Sequence, residues 1–293
     1  MSKGKPVSEA TVRRWIARGD GQGEGVNYHP FFKVLDVPSC GRSHIFPGLK
    51  TSRNHVYFTD LEYAAHIWAE YSRGVVDIRE QYALLPREET QEIAKELKIK
   101  HSIYPYTNIP IVMTSDLVLT RKQRNSQSGD SSQIFQGEYC VVCVKPSYLV
   151  FSDHRLSSRI SKKITIEKIF WSCRSASFNL CTEWDIPWNK VRNLDNYCTW
   201  LLAQELDEFS NYFQIFPEIF LYYWAADRSL NKIISFVADD LGLDINHCFL
   251  LFGRSLWLRL LPVDLDSELI LHEFPVKLTL PPNRFRGGRN DKH

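Results

Sequence analysis

No apolar run in this 293-residue chain approaches the roughly 20 residues that a membrane helix needs, so a membrane-spanning role is not expected. The first residues are polar, and no export signal is read there. The seven cysteines, at 40, 140, 143, 173, 181, 198 and 248, are odd in number and lack the dense, even pattern of a secreted disulfide framework; a reducing, cytoplasmic setting is expected. A dinucleotide fingerprint is also missing. Gly21-x-Gly23-x-Gly25 follows a helical stretch, Val12 to Ala17, where the fingerprint requires a strand. A flexible connector is expected there. Net charge is small, at +2, but unevenly placed: residues 183–244 carry eleven acidic and four basic side chains, which leaves +9 for the rest.

What is present is ample apolar material, 44% of residues, in a chain longer than one ordinary domain. Within it three polar residues stand in apolar surroundings. The run Glu138 to Pro146 is β-branched and sulfur-rich, reads as a buried strand, and is stopped by a proline, so Lys145 lies at a strand end. Ile109 to Thr120 reads as a second strand with Asp116 as its lone carboxylate, and the polar stretch from Arg121 to Gly137 as a hairpin loop. A hairpin brings Asp116 beside Lys145. Glu62 borders the apolar face of a helix formed by Thr59 to Tyr71.

Two carboxylates and a lysine suit metal-dependent phosphodiester hydrolysis, in which carboxylates hold Mg²⁺ and a lysine orients water or stabilises developing charge. Each residue also has a structural reading. Thr59-x-x-Glu62 is a capping box, Asp116 suits a partner of a buried base, and Lys145 a solvated strand end. Cys140 and Cys143 are an odd number of residues apart in one strand, so their sulfurs face opposite ways, which disfavours zinc.

Further motifs widen the pattern: Arg13-Arg14 with Gly19 to Gly25, Tyr28-His29-Pro30, Asp36 to His44, Asp60-Leu61-Glu62, Val76 to Gln81 with Leu84-Leu85-Pro86, Met113 to Asp116, and Val144-Lys145-Pro146. In this order they resemble the TnsA family, endonuclease subunits of heteromeric cut-and-paste transposases, including those of CRISPR-associated transposons. The resemblance covers most of the first 185 residues. It implies an α/β, restriction-endonuclease-like mixed sheet flanked by helices, with Glu62, Asp116 and Lys145 as catalytic residues and Mg²⁺ or Mn²⁺ as cofactor. It implies hydrolysis of the 5′ strands at transposon ends in a bacterial cytoplasm. The implied partners are a DDE-type transposase that cuts and joins the 3′ strands and an AAA+ ATPase regulator. Many such nucleases carry a carboxylate two residues before the lysine, where this chain has Cys143, a poor Mg²⁺ ligand. The implied metal ligands are therefore Glu62, Asp116 and the Val144 carbonyl.

The expected organisation is a catalytic domain over 1–185, a smaller, mainly helical winged-helix-like domain over 186–282 and a disordered basic tail over 283–293. Arg42, His44, Arg53, Arg155, Arg159, Lys162 and Lys163 form the expected phosphate track. In the second domain, helices are read over 201–208 and 213–226, then a helix from Ser229, a turn at Gly242 and a second helix capped by Asp244. Residues 256–261 and 268–272 are read as the two strands of a wing. The second helix, Ile245 to Phe252, is too apolar to read bases, so a protein-facing role is expected. Two other classes stay open: an architectural subunit whose metal site Cys143 has impaired, and a free-standing restriction or repair nuclease.

Overall fold

In the computed structural model the chain divides into two compact units, residues 1–186 and 187–293. The structure describes residues 6–32, 42–122, 138–151 and 155–279. The expected hairpin loop, the basic tail and the stretch 33–41 fall largely or wholly outside these, as does the side chain of Arg155.

Elements follow in chain order as α1 (Glu9–Ala17), β1 (His44–Pro47), β2 (Asn54–Tyr57), α2 (Asp60–Tyr71), β3 (Val75–Ala83), α3 (Arg87–Glu96), β4 (Thr114–Arg121), β5 (Glu138–Val144), α4 (Ser147–Phe151), α5 (Arg155–Ser172) and β6 (Ser177–Cys181). Local chemistry sets their ends. The Ser8 hydroxyl accepts from Thr11 N and starts α1, and the Thr59 hydroxyl accepts from Glu62 N and starts α2. Pro146 closes β5.

β1 and β2 pair as a hairpin. The main sheet has the order β3-β4-β5-β6, antiparallel except for the parallel β5–β6 pair. Leu117 pairs with Val142 and Val118 with Val141. Val118 and Val141 pack with Leu84, Met113, Ile166, Phe170 and Trp171, so α5 covers this face of the sheet. This is the mixed sheet flanked by helices that the sequence leads one to expect, although β4 starts at Thr114, later than the expected Ile109.

The glycine-rich segment after α1 is not a loose connector. Gly21, at φ 73°, exchanges backbone hydrogen bonds with His29 and Ala83, and a Cβ on it would lie 2.5 Å from the Ala83 Cβ. Close approach to β3, together with left-handed backbone, requires glycine there.

The second unit contains α6 (Trp188–Asn196), 3₁₀ turns at Thr199–Leu202 and Gln204–Tyr212, α7 (Ile215–Tyr223), α8 (Leu230–Leu241) and α9 (Ile245–Trp257). The expected helix over 201–208 is thus 3₁₀. Gly242, at φ 65°, ends α8, and the Asp244 carboxylate accepts from Asn246 N to start α9. The helix-turn-helix is present, but the expected wing strands are not found among the described residues. Residues 256 and 257 continue α9, with Trp257 Nε1 donating to the Leu194 carbonyl at 3.0 Å, and Arg259 turns left-handed at φ 56°. Around 268–270 the backbone finds its partners on a side chain: buried Asn193 donates to the carbonyls of Leu265 and Glu268 and accepts from Ile270 N. Those groups are satisfied without a ladder. The expected protein-facing helix, α9, buries Cys248, Leu251, Phe252 and Leu256.

Candidate active site

Side chains alternate along a strand, so Cys143, two after Val141, extends the rank of residues that faces α5; Ser115 accepts from Trp171 Nε1 of that helix at 2.8 Å, and Asp116 follows it in β4. Lys145 follows immediately after β5. Its Nζ lies 2.5 Å from Asp116 Oδ2 and donates to the Val144 carbonyl at 2.9 Å. Val144 N donates to the same Asp116 oxygen at 2.7 Å. One carboxylate, one ammonium and one carbonyl therefore converge.

Glu62 enters from α2. It is buried, and its Oε2 accepts from Phe58 N at 3.0 Å while its own N–H donates to the Thr59 hydroxyl. The capping box is real and also fixes the carboxylate's direction. Burial, then the like charge of Asp116, raises the Glu62 carboxyl from its ordinary range to about 7. Burial alone would push the Lys145 ammonium down, but Asp116 beside it holds it above its ordinary value, so it stays a cation. Burial pushes the Cys143 thiol up, which keeps it protonated.

The sequence reading missed Glu167. It stands on α5 next to Ile166, is 5% exposed, and its Oε1 has no hydrogen-bond partner. Burial, and then Asp116, raises its carboxyl, while Ser115, Lys145 and Cys143 oppose the rise. A signal for it existed: a glutamate within the apolar face of a helix has to meet a partner inside.

The basic candidates separate. Lys162 and Lys163, with Arg159, Lys100 and His101, line a cleft of about 500 Å³. Burial, then Arg159 and Lys145, pushes the Lys163 ammonium down, which ties the cleft electrostatically to Lys145. Arg42 is exposed. His44 stacks on Tyr63 at 4.3 Å and bonds Asp60 at 2.6 Å, bracing the start of α2. Arg53 does not belong to a phosphate track. Its side chain is 8% exposed, and its guanidinium is held by Glu80 at 2.7 and 2.8 Å and by the Ile78 carbonyl.

An acidic residue and a lysine on neighbouring ends of antiparallel strands, with a second carboxylate from a flanking helix, define a restriction-endonuclease-like protein. A family model described as TnsA-like endonuclease N terminal matches residues 72–183, a span that includes Asp116, Lys145 and Glu167. The chain is 31% identical over 203 residues to the Escherichia coli protein named Transposon Tn7 transposition protein TnsA, covering 69% of this chain and 66% of that relative. The alignment thus spans just under two thirds of the relative's length. The chain belongs to the TnsA-type family.

Proposed function

We propose that this chain is the DNA endonuclease subunit of a transposon, hydrolysing the 5′ strand at each end in a reaction that needs Mg²⁺ or Mn²⁺. The observation that carries this is the convergence of the Lys145 ammonium, the Asp116 carboxylate and the Val144 carbonyl, with the Glu62 carboxyl electrostatically coupled to Asp116. The relative's name, a transposition protein, supports the same reading.

The donors are all oxygens, and two of the nearby carboxyls are raised by burial and then by the charge of Asp116; such a set fits a hard divalent cation. Glu62, Asp116 and the Val144 carbonyl would hold it, whereas the soft Cys143 sulfur is a poor ligand for such an ion. When bound, the ion polarises the phosphoryl oxygen and acidifies water. Lys145, kept protonated, acts as a hydrogen-bond donor to the attacking water or to the developing phosphoryl charge, and not as a base. Glu167, hydrogen-bonded to Ser115 and Cys143, lies within electrostatic reach of Lys145 and Asp116.

The cleft of Lys100, Arg159, Lys162 and Lys163 would carry the phosphate backbone toward Lys145. Lys162→Ala and Lys163→Ala are each expected to weaken DNA binding uniformly across sequences and to reduce the slope of log K against log salt by about 0.9. Anisotropy titrations at several salt concentrations check this; an unchanged slope removes that lysine from the track.

Choice of ends would come from the partner DDE-type transposase, and the second unit would meet the AAA+ regulator. The test is long-read sequencing of transposition products with partner proteins present, wild type against Asp116→Ala. Simple insertions are expected to become cointegrates, because 3′ joining continues without 5′ cleavage. An unchanged product distribution would leave an architectural subunit instead.

A further inference from the structure

We propose that His55, His66 and Glu70 form a buried zinc site that pins α2 to the β1–β2 hairpin, separate from the catalytic centre. One ligand atom from each residue lies within 4.8 Å of the other two, and all three residues are buried. His66 Nε2 and Glu70 Oε2 are 3.7 Å apart, too far for a hydrogen bond, and neither atom has any hydrogen-bond partner. Two unsatisfied polar atoms facing each other in the interior would be costly unless something lies between them. Zinc bonds of about 2.0–2.1 Å in a tetrahedron place donors roughly 3.4 Å apart, close to the spacing already present.

The remaining atoms of the three residues are arranged as metal ligands require. His55 Nδ1 is held by Glu80 Oε2 at 2.9 Å, which turns Nε2 inward. His66 Nδ1 is held by the Tyr57 hydroxyl at 2.5 Å, and Glu70 Oε1 accepts from Lys50 N at 2.7 Å. The Thr51 hydroxyl, 2.7 Å from His55 Nε2, stands where a fourth donor or a water belongs. Gly48 keeps this space open, since a Cβ there would lie 2.5 Å from His55 Nε2 and 2.6 Å from Thr51 Oγ1.

Two imidazoles and a carboxylate select a borderline transition metal over Mg²⁺. The same donor set with open positions would suit iron, but His55 and His66 are 0% and Glu70 3% exposed, so no substrate reaches the cluster. A closed, structural zinc remains.

The test uses the full chain carrying Asp116→Ala, so that the catalytic centre contributes no metal and the outcome is independent of the nuclease reading. After chelation, reloading with zinc and gel filtration, plasma mass spectrometry is expected to find about one zinc per chain. Cobalt reloading is expected to give the visible bands of a tetrahedral nitrogen and oxygen site. Adding His66→Phe, which keeps a ring against Phe46 and Tyr57, is expected to abolish retention. Glu70→Gln is expected to weaken it at least tenfold, and this arm decides if the phenylalanine variant does not fold. No retained zinc, full retention in the folded variants, preferential recovery of iron, or a thiolate-to-cobalt band that places the metal on a cysteine would each overturn the proposal.

Discussion

Arg53→Met is expected to lower the unfolding free energy of the first unit by about 3–5 kcal/mol, the range for leaving one member of a buried ion pair alone. Glu80 is fully buried, and although burial raises its carboxyl, the Arg53 and His55 hydrogen bonds outweigh this and lower it to about 2. The carboxylate is thus ionised inside the protein because a guanidinium fork meets both its oxygens, at 2.8 and 2.7 Å. Arg53 also lies 4.8 Å from the Tyr28 ring centroid, and Tyr28 donates to the Glu80 carbonyl at 2.7 Å, so the loss reaches the packing around β3. Arg53→Lys should recover part of the loss, since it keeps the charge without the fork. The double variant Arg53→Met/Glu80→Gln should be more stable than Arg53→Met alone, because no orphan charge remains. Urea unfolding of all variants gives the coupling by a double-mutant cycle. A single variant within about 0.5 kcal/mol of wild type would sink the account and return Arg53 to the surface set.

Metal-free protein is expected to lose stability as pH rises from about 4.5 through about 7. Glu62, raised to about 7, and Glu167, also raised, take up protons in the folded state that they give up on unfolding. The folded state therefore binds more protons in this window, so stability falls with rising pH and levels off above it. A rise of this size in one carboxyl corresponds to roughly 3 kcal/mol, and because both groups answer to Asp116 the two contributions are not additive. Mg²⁺ should restore most of the loss at pH 8 and do little at pH 5, where protons already neutralise the site. Asp116→Asn removes the shared like charge and should reduce the slope, leaving the part that burial contributes. Urea midpoints at the two pH values, with and without Mg²⁺, decide it; a pH-independent midpoint would mean that the Glu62 and Glu167 carboxyls are not raised in the folded protein.

The second unit shows a different limit of sequence reading. Leu256 to Leu261 alternates well enough for a strand, yet its first two residues, Leu256 and Trp257, continue α9 because they fit that unit's core. Glu268 to His272 has strand composition, but Asn193, distant in sequence, meets its backbone groups first. Local pattern cannot report a partner 75 residues away.

For the site, chain chemistry was sufficient where the signal was local. Pro146 ending a β-branched run placed Lys145, the capping residue Thr59 placed Glu62, and a lone aspartate in an apolar strand placed Asp116. Together with the ordered motifs, these carried the resemblance that implied the family and the class of sheet. Tertiary structure alone decided which charges are buried and with whom: Arg53 against Glu80, Glu167 within electrostatic reach of Asp116, and His55 within ligand distance of His66 and Glu70. The reason is physical. A motif records spacing along the chain, whereas the state of a charge depends on desolvation and on neighbours that only folding brings together.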